Sequence, residues 1–250
     1  MQFTRVTVQE QVGTVSFERG KVNAINEALV MELTERLQQL AADPQVKAVI
    51  LTAAGKFFSF GFDIPEFLSF SREDFTRFLT NFTSLYRKLF LFPKPVVAAL
   101  NGHTVAGGLM LATACDRRLM VPGKSKISLN EITFGSTLTA GFLEMLVFLV
   151  GTRDAQRMVY SGAMYTAEEA LTIRLVDQVC SPETLMDEAQ RIACAMAQLD
   201  SRAFASIKLL LRQPIGDRMR EREPDSIKEF VDVWYSGETR KQLAEIKIRS

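Results

Sequence analysis

The chain has one histidine, His103, and three cysteines, Cys115, Cys180 and Cys194, none of them in a CxxC pair. One imidazole without a cysteine cluster leaves no ligand set for a transition-metal site. A Ser-His-Asp triad would have only His103 as its base. An odd, widely spaced set of cysteines points to buried thiols in a reducing compartment rather than to disulfides. Charge of one sign is lacking too: 30 basic and 29 acidic residues leave a formal net charge of +1, which argues against a nucleic-acid-binding surface. The best apolar run, "GFLEMLVFLVG" at 141–151, is too short for a bilayer and carries Glu144, so no membrane span is expected. The opening "MQFTRVTVQE" reads as strand rather than signal peptide, and the closing "EIKIRS" is no peroxisomal address. The expectation is a cytoplasmic protein, a trimmed mitochondrial chain being the other reading.

What is present is an ordinary globular composition, 47% hydrophobic and 24% charged, with enough apolar residues for a sizeable core. Residues 3–19 alternate on both sides of "QEQVG", which predicts a hairpin. Helical spacing over 25–43 follows Asn26, a candidate cap, and "VKAVILTA" (47–54) reads as a strand buried on both faces. Phe75, Phe78, Phe82, Leu85 and Leu89 form an apolar stripe on a helix over 72–92, which Pro93 and Pro95 end. "VVAAL" (96–100), "DRRLMV" and "KISLNE" read as further strands. From about Thr139 the pattern is helical, apart from a strand-like "RLVDQVC" (174–180), and it finishes in amphipathic helices over 217–235 and 237–248. These elements predict an α/β core over 1–195 and a helical region over 196–250, acting as one unit.

Two places combine a strand end, glycine and a following helix: "FSFGFDIPE" (58–66) and "NGHTVAGGLML" (101–111). Ligands of α/β sheets favour the crevice beyond strand carboxyl ends, and helix N-termini there present unpaired N–H groups. Two N–H groups converging on one oxygen make an oxyanion hole. The pair at Gly107 and Gly108 is costly inside a helix, roughly 1 kcal/mol each against alanine, and is explained if something approaches the backbone closely.

The stretches "KVNAINEALVMEL" (21–33), "FFSFGFDIPEF", "PKPVVAALNGHTVAGGLMLATACDRRLM", "SLNEITFG" and "AEEALTIRLVDQV" resemble, in order and over nearly the whole chain, the crotonase (enoyl-CoA hydratase/isomerase) superfamily. The resemblance implies a spiral of strand–strand–helix (ββα) repeats followed by helices that assemble trimers or dimers of trimers. It also implies an acyl-CoA thioester substrate and no cofactor beyond the coenzyme A of that substrate. By motif position it assigns the thioester oxygen to the N–H groups of Phe60 and Gly107. Coenzyme A is expected near the backbone of Lys21–Ala24 and Phe58–Phe60, with Asp63 nearby and Lys21, Lys56 and Lys247 as candidates for its phosphates.

Hydratases of the family carry a glutamate where this chain has Met110, and a second one that matches Glu131. By spacing alone Glu131 is as open to capping or pairing with an arginine as to catalysis; the resemblance makes it the base. One base suffices to move a double bond from C3 to C2: it takes a proton from C2 and returns it at C4, while the oxyanion hole holds the dienolate. Met110 would exclude water, and burial would raise the pKa of Glu131. Among relatives, one glutamate facing an apolar residue resembles the Δ3,Δ2-enoyl-CoA isomerase branch. A hydratase or other thioester enzyme, and a non-catalytic scaffold, are the other readings. Thr137 and Thr139 are candidates to line the pocket; Asp116, Glu66 and His103 read as structural, with His103 and Glu144 kept as reserve polar groups.

Overall fold

The computed structural model describes residues 3–246. Strands β1 (Thr4–Gln9) and β2 (Val12–Phe17) form the expected hairpin, turning through Glu10 (φ 50°) and Gln11 (φ 64°). Two residues in the left-handed region give a turn whose twist matches that of the flanking strands. Helix α1 (Glu27–Ala42) begins at Asn26, whose side chain accepts from the Leu29 N–H at 3.0 Å.

After α1 the chain repeats one move. A strand joins a large sheet, a second strand joins a small sheet, and a helix returns. The first turn is β3 (Ala48–Ala53), β4 (Phe57–Ser59), then α2 (Ile64–Phe67) and α3 (Arg72–Phe90). The second is β5 (Val96–Leu100), β6 (His103–Val105) and α4 (Gly107–Ala114). The third is β7 (Arg117–Met120), β8 (Ile127–Ser128), a 3-10 turn at Glu131–Phe134 and α5 (Ala140–Ser161). Then come β9 (Met164–Tyr165), α6 (Ala167–Thr172), β10 (Gln178–Val179) and α7 (Leu185–Ala197). The large sheet has the order β1-β2-β3-β5-β7-β10 and the small one β4-β6-β8-β9. This is the expected ββα spiral.

Strands β3 and β5 are buried throughout because both faces of the sheet are covered. Val49, Leu51, Val96 and Ala98 face the main core, whereas Ala48, Ile50, Val97 and Ala99 face a second cluster closed by Leu185, Ala189 and Ala193 of α7. The α3 stripe of Phe75, Phe78, Phe82, Leu85 and Leu89 is buried as its spacing predicts.

Helix α8 (Ser201–Trp234) differs from expectation. It runs unbroken for 34 residues through Pro214 and Pro224, and the helix expected over 217–235 is its second half. An interior proline costs about 3 kcal/mol, which a local reading takes as a stop. Here Ile215, Met219, Ile227, Phe230 and Trp234 join the main core, and burial of that size outweighs the cost. Helix α9 (Gly237–Glu245) completes the chain. The end of the helix expected over 237–248 lies outside the described residues, as does Lys247. The division expected at 195/196 falls in the last turn of α7, and the C-terminal helices share the core with the spiral.

Candidate active site

Helix α4 starts abruptly. Ala106, at φ 51° and ψ −121°, turns the chain out of β6, and its C=O accepts from the Met110 N–H at 3.1 Å. No side chain caps this end, so among the described residues the N–H groups of Gly107, Gly108 and Leu109 have no partner. The two glycines answer to packing. A Cβ on Gly108 would stand 2.7 Å from Ser59 Cβ and 2.8 Å from Ser59 O, and one on Gly107 would stand 3.0 Å from the Phe62 ring. Only a bare backbone lets α4 lie this close to the segment after β4.

That segment brings a second free amide. Gly61 (φ 92°) lies against Val105–Gly107, where a Cβ would meet Ala106 Cβ at 2.8 Å and Gly107 N at 3.3 Å. Around it the Phe60 N–H donates to Val22 O at 3.0 Å, the Gly61 N–H to Ser59 Oγ at 3.1 Å and the Asp63 N–H to Ile25 O at 2.9 Å. The Phe62 N–H alone among these four has no partner. The expectation for Phe60 is therefore corrected. Its amide is consumed by Val22, and the amide left open beside Gly107 is that of Phe62, two residues on. Gly61 permits this, since its positive φ is a backbone conformation that side-chain-bearing residues rarely adopt. The Phe62 ring is held edge-on by Phe67, Phe78 and Phe82, at centroid distances of 5.8, 5.0 and 5.0 Å.

Glu131 opens the 3-10 turn after β8 and is 5% exposed. Its carbonyl accepts from the N–H groups of Gly135 (φ 70°) and Ser136, which closes the turn. Its carboxyl is neither a cap nor an arginine partner, and Oε2 is buried with no hydrogen bond. Burial pushes this carboxyl up to about 8. Ser136 Oγ, a few residues along, is likewise buried without a partner; sequence reasoning missed it, and a serine in a turn carries no signal of its own. Met110 is buried in the main core, one helical turn from Gly107 on the same face of α4. Thr137 is half-buried beyond the turn. Thr139 points elsewhere, with its hydroxyl 2.8 Å from that of Tyr86.

The residues expected near coenzyme A are held by the fold itself. The Phe58 side chain is core, 5.2 Å from the Phe17 ring, and Ala24 is buried with its C=O accepting from Arg19 Nη1 at 2.8 Å. Asp63 caps α2 and pairs with Arg19 at 2.7 Å, and Glu66 joins that pair at 3.1 Å. Lys21 and Lys56 are exposed. His103 stacks on Phe57 at 4.8 Å, and partial burial, then the Lys126 charge, lower its pKa. Glu144 is taken up by Arg218 and Arg222, and Asp116 by Lys208 and Arg212. Among the described residues no group of three His, Cys, Asp or Glu side chains is placed to hold a metal, and no helix is long and apolar enough to cross a membrane.

Two open amides at a strand–helix junction are the donors an oxyanion-type site requires, and Glu131 supplies a buried carboxyl after β8. The sequence pattern describing the enoyl-CoA hydratase/isomerase family matches residues 7–241. The 2,3-dehydroadipyl-CoA hydratase of Escherichia coli (strain K12) is 32% identical over 211 residues, 83% of this chain and 81% of that protein. The mitochondrial enoyl-CoA delta isomerase 1 of Mus musculus is 26% identical over 234 residues, 93% of this chain and 81% of that one. The crystal structure of human mitochondrial delta3-delta2-enoyl-CoA isomerase superposes with a TM-score of 0.93 at 25% identity, over 97% of this chain and 96% of that one. The chain belongs to the enoyl-CoA hydratase/isomerase family, in the crotonase superfamily.

Proposed function

We propose that this enzyme is a Δ3,Δ2-enoyl-CoA isomerase with Glu131 as its sole base. The observation that carries the reading is the buried Glu131 carboxyl, whose Oε2 has no hydrogen bond, while helix α4 offers no second acid because Met110 stands where family hydratases carry one. The N–H groups of Phe62 and Gly107 receive the thioester oxygen, and each such donor is worth about 3–4 kcal/mol as charge develops there. Ionised Glu131 removes a proton from C2 of a 3-enoyl-CoA. The electron pair moves onto the thioester oxygen as a dienolate, and Glu131 returns the proton at C4, leaving the double bond at C2. Proton transfer by one group needs no cofactor beyond the coenzyme A of the substrate. Met110 and the Phe62 ring are apolar neighbours that keep water from the dienolate.

Incubation with 3-hexenoyl-CoA and, separately, 2-hexenoyl-CoA tests this. Conversion of the first to the second, without a 3-hydroxyacyl product and abolished in Glu131→Gln, is the expected result. Water addition to 2-hexenoyl-CoA would favour the second reading, a hydratase, which several relatives' names support. We also assign self-association as a trimer, or a dimer of trimers, to the exposed apolar stretch Ile207, Leu209, Leu210 and Leu211 of α8. Light scattering of the purified protein reads the mass directly.

A further inference from the structure

The segment that carries Glu131 ends on a buried polar cluster that the one-base mechanism leaves unused. Tyr86 of α3 is fully buried and donates to Glu223 Oε1 of α8. The other carboxylate oxygen, Oε2, accepts from the Gly141 N–H at 2.6 Å, in the first turn of α5. Because the single phenolic proton is committed to Glu223, Thr139 donates its own to the Tyr86 oxygen at 2.8 Å. Glu223 packs so tightly here that any Cβ at position 141 would collide with Oε2. Three residues further along α8, Ser226 Oγ accepts from the Ala140 N–H at 3.0 Å.

We propose that Glu223 is a positioning residue for Glu131, an inference that rests on Glu131 being the base. The polypeptide between Glu131 and Thr139 is short and is anchored by remote groups at its middle and at its end. Midway along it the Thr239 hydroxyl of α9 donates to Gly135 O at 2.8 Å. At its end Glu223 holds Gly141 directly and Thr139 through Tyr86. Both carboxyl oxygens of Glu223 are engaged, Oε1 by the Tyr86 hydroxyl and Oε2 by the Gly141 N–H, while burial raises its pKa against the lowering effect of these donors. Loss of this anchor frees Thr139–Gly141 to shift, and water then reaches the Glu131 carboxyl, whose raised pKa exists only because water is excluded.

The charged groups around Glu223 are accounted for. From α3 it faces Tyr86 and Arg87, and on α8 Arg220 lines the same cavity of about 410 Å³ between the two helices. Arg218 and Arg222 are taken up by Glu144 of α5.

The test compares wild type, Glu223→Met, Tyr86→Phe and Glu131→Gln on 3-hexenoyl-CoA, with kcat and KM measured from pH 5 to 9 and folding checked by thermal melting. Glu223→Met keeps the length of the side chain and removes both acceptors. It should lower kcat at least tenfold with KM within twofold, and move the acid limb of kcat/KM down by a pH unit or more. Tyr86→Phe should move both in the same direction by less, and it decides the matter if Glu223→Met does not fold. A folded variant that melts lower but keeps the wild-type kcat, or keeps the acid limb in place, overturns the proposal, because a merely structural brace would behave that way. Glu131→Gln separates the two levels. If it retains the wild-type rate, the base assignment has failed; if it is inactive while the anchor variants match wild type, only the positioning role has failed.

Discussion

Where Gly61–Phe62 meets Gly107, the groups offered to a ligand are backbone amides, and their surroundings are held by van der Waals contact between glycines, Ser59 and phenylalanine rings. At Glu131 the group offered is a side chain, and its segment is held by hydrogen bonds with Thr239, Glu223, Ser226 and Tyr86, three of them on C-terminal helices. The first arm has no titratable atom and tolerates no added methyl group. The second depends on ionisation and on residues far along the chain. One arm is exact by exclusion of volume; the other is tunable through remote polar contacts.

The largest expected effect is on the second arm. Glu131→Gln should reduce kcat about a thousandfold while leaving acyl-CoA binding intact, as expected when a general base is removed. Equilibrium binding alongside turnover checks both halves of that statement.

Next comes the pH dependence of stability. The folded carboxyl of Glu131 titrates at about 8 and an unfolded one near its ordinary value, so between these pH values the folded state binds more protons. Stability is therefore full below the ordinary carboxylate value and is lost as pH rises through 8. Glu131→Gln should remove this loss, gaining on the order of 2–4 kcal/mol over wild type at pH 9 and little at pH 4 in urea unfolding. The same titration makes kcat/KM of wild type rise with pH up to about 8, since the base acts ionised.

On the first arm, Gly108→Ala should cost about 1–3 kcal/mol, because the new methyl group meets Ser59 Cβ and O with no room to relax. A melting temperature equal to wild type would show that the junction is looser than these contacts imply. Asn26→Ala should cost about 1 kcal/mol through the lost cap of α1, with kcat unchanged. The smallest effect sharpens the comparison most. Phe60→Ala should leave kcat within about threefold of wild type, because its amide remains bonded to Val22 and never reaches the substrate; truncation of a side chain leaves that backbone bond in place. A large loss would instead show that the Phe60 ring, not its amide, shapes the site.

Much of the fold was legible. The hairpin at Glu10–Gln11, the cap at Asn26, the α3 stripe and the buried strands β3 and β5 all follow from local pattern: alternation, 3.6-residue spacing, a short polar residue before an apolar run. Glu131 and Gly107 were legible as motif positions. Phe62 was not, because which amide escapes the hydrogen-bond ladder depends on where Val22 and Ile25, far back in the chain, lay their carbonyls. Helix α8 passes its prolines for a reason no local window contains, the burial of its face against α3 and α5.

The sequence by itself determined the N-terminal hairpin, helices α1 and α3, the buried strands β3 and β5, the family of the chain, the glycines at the strand–helix junction and the absence of an acid at Met110, because periodicity, residue size and motif spacing are properties of neighbours along the chain. Only the tertiary structure decided that Phe62 rather than Phe60 keeps an open N–H, that Glu131 Oε2 is buried without a hydrogen bond, and that Glu223 and Tyr86 stand behind its segment. Hydrogen-bond satisfaction and desolvation are sums over everything that surrounds a group, and those surroundings come from residues brought together by folding.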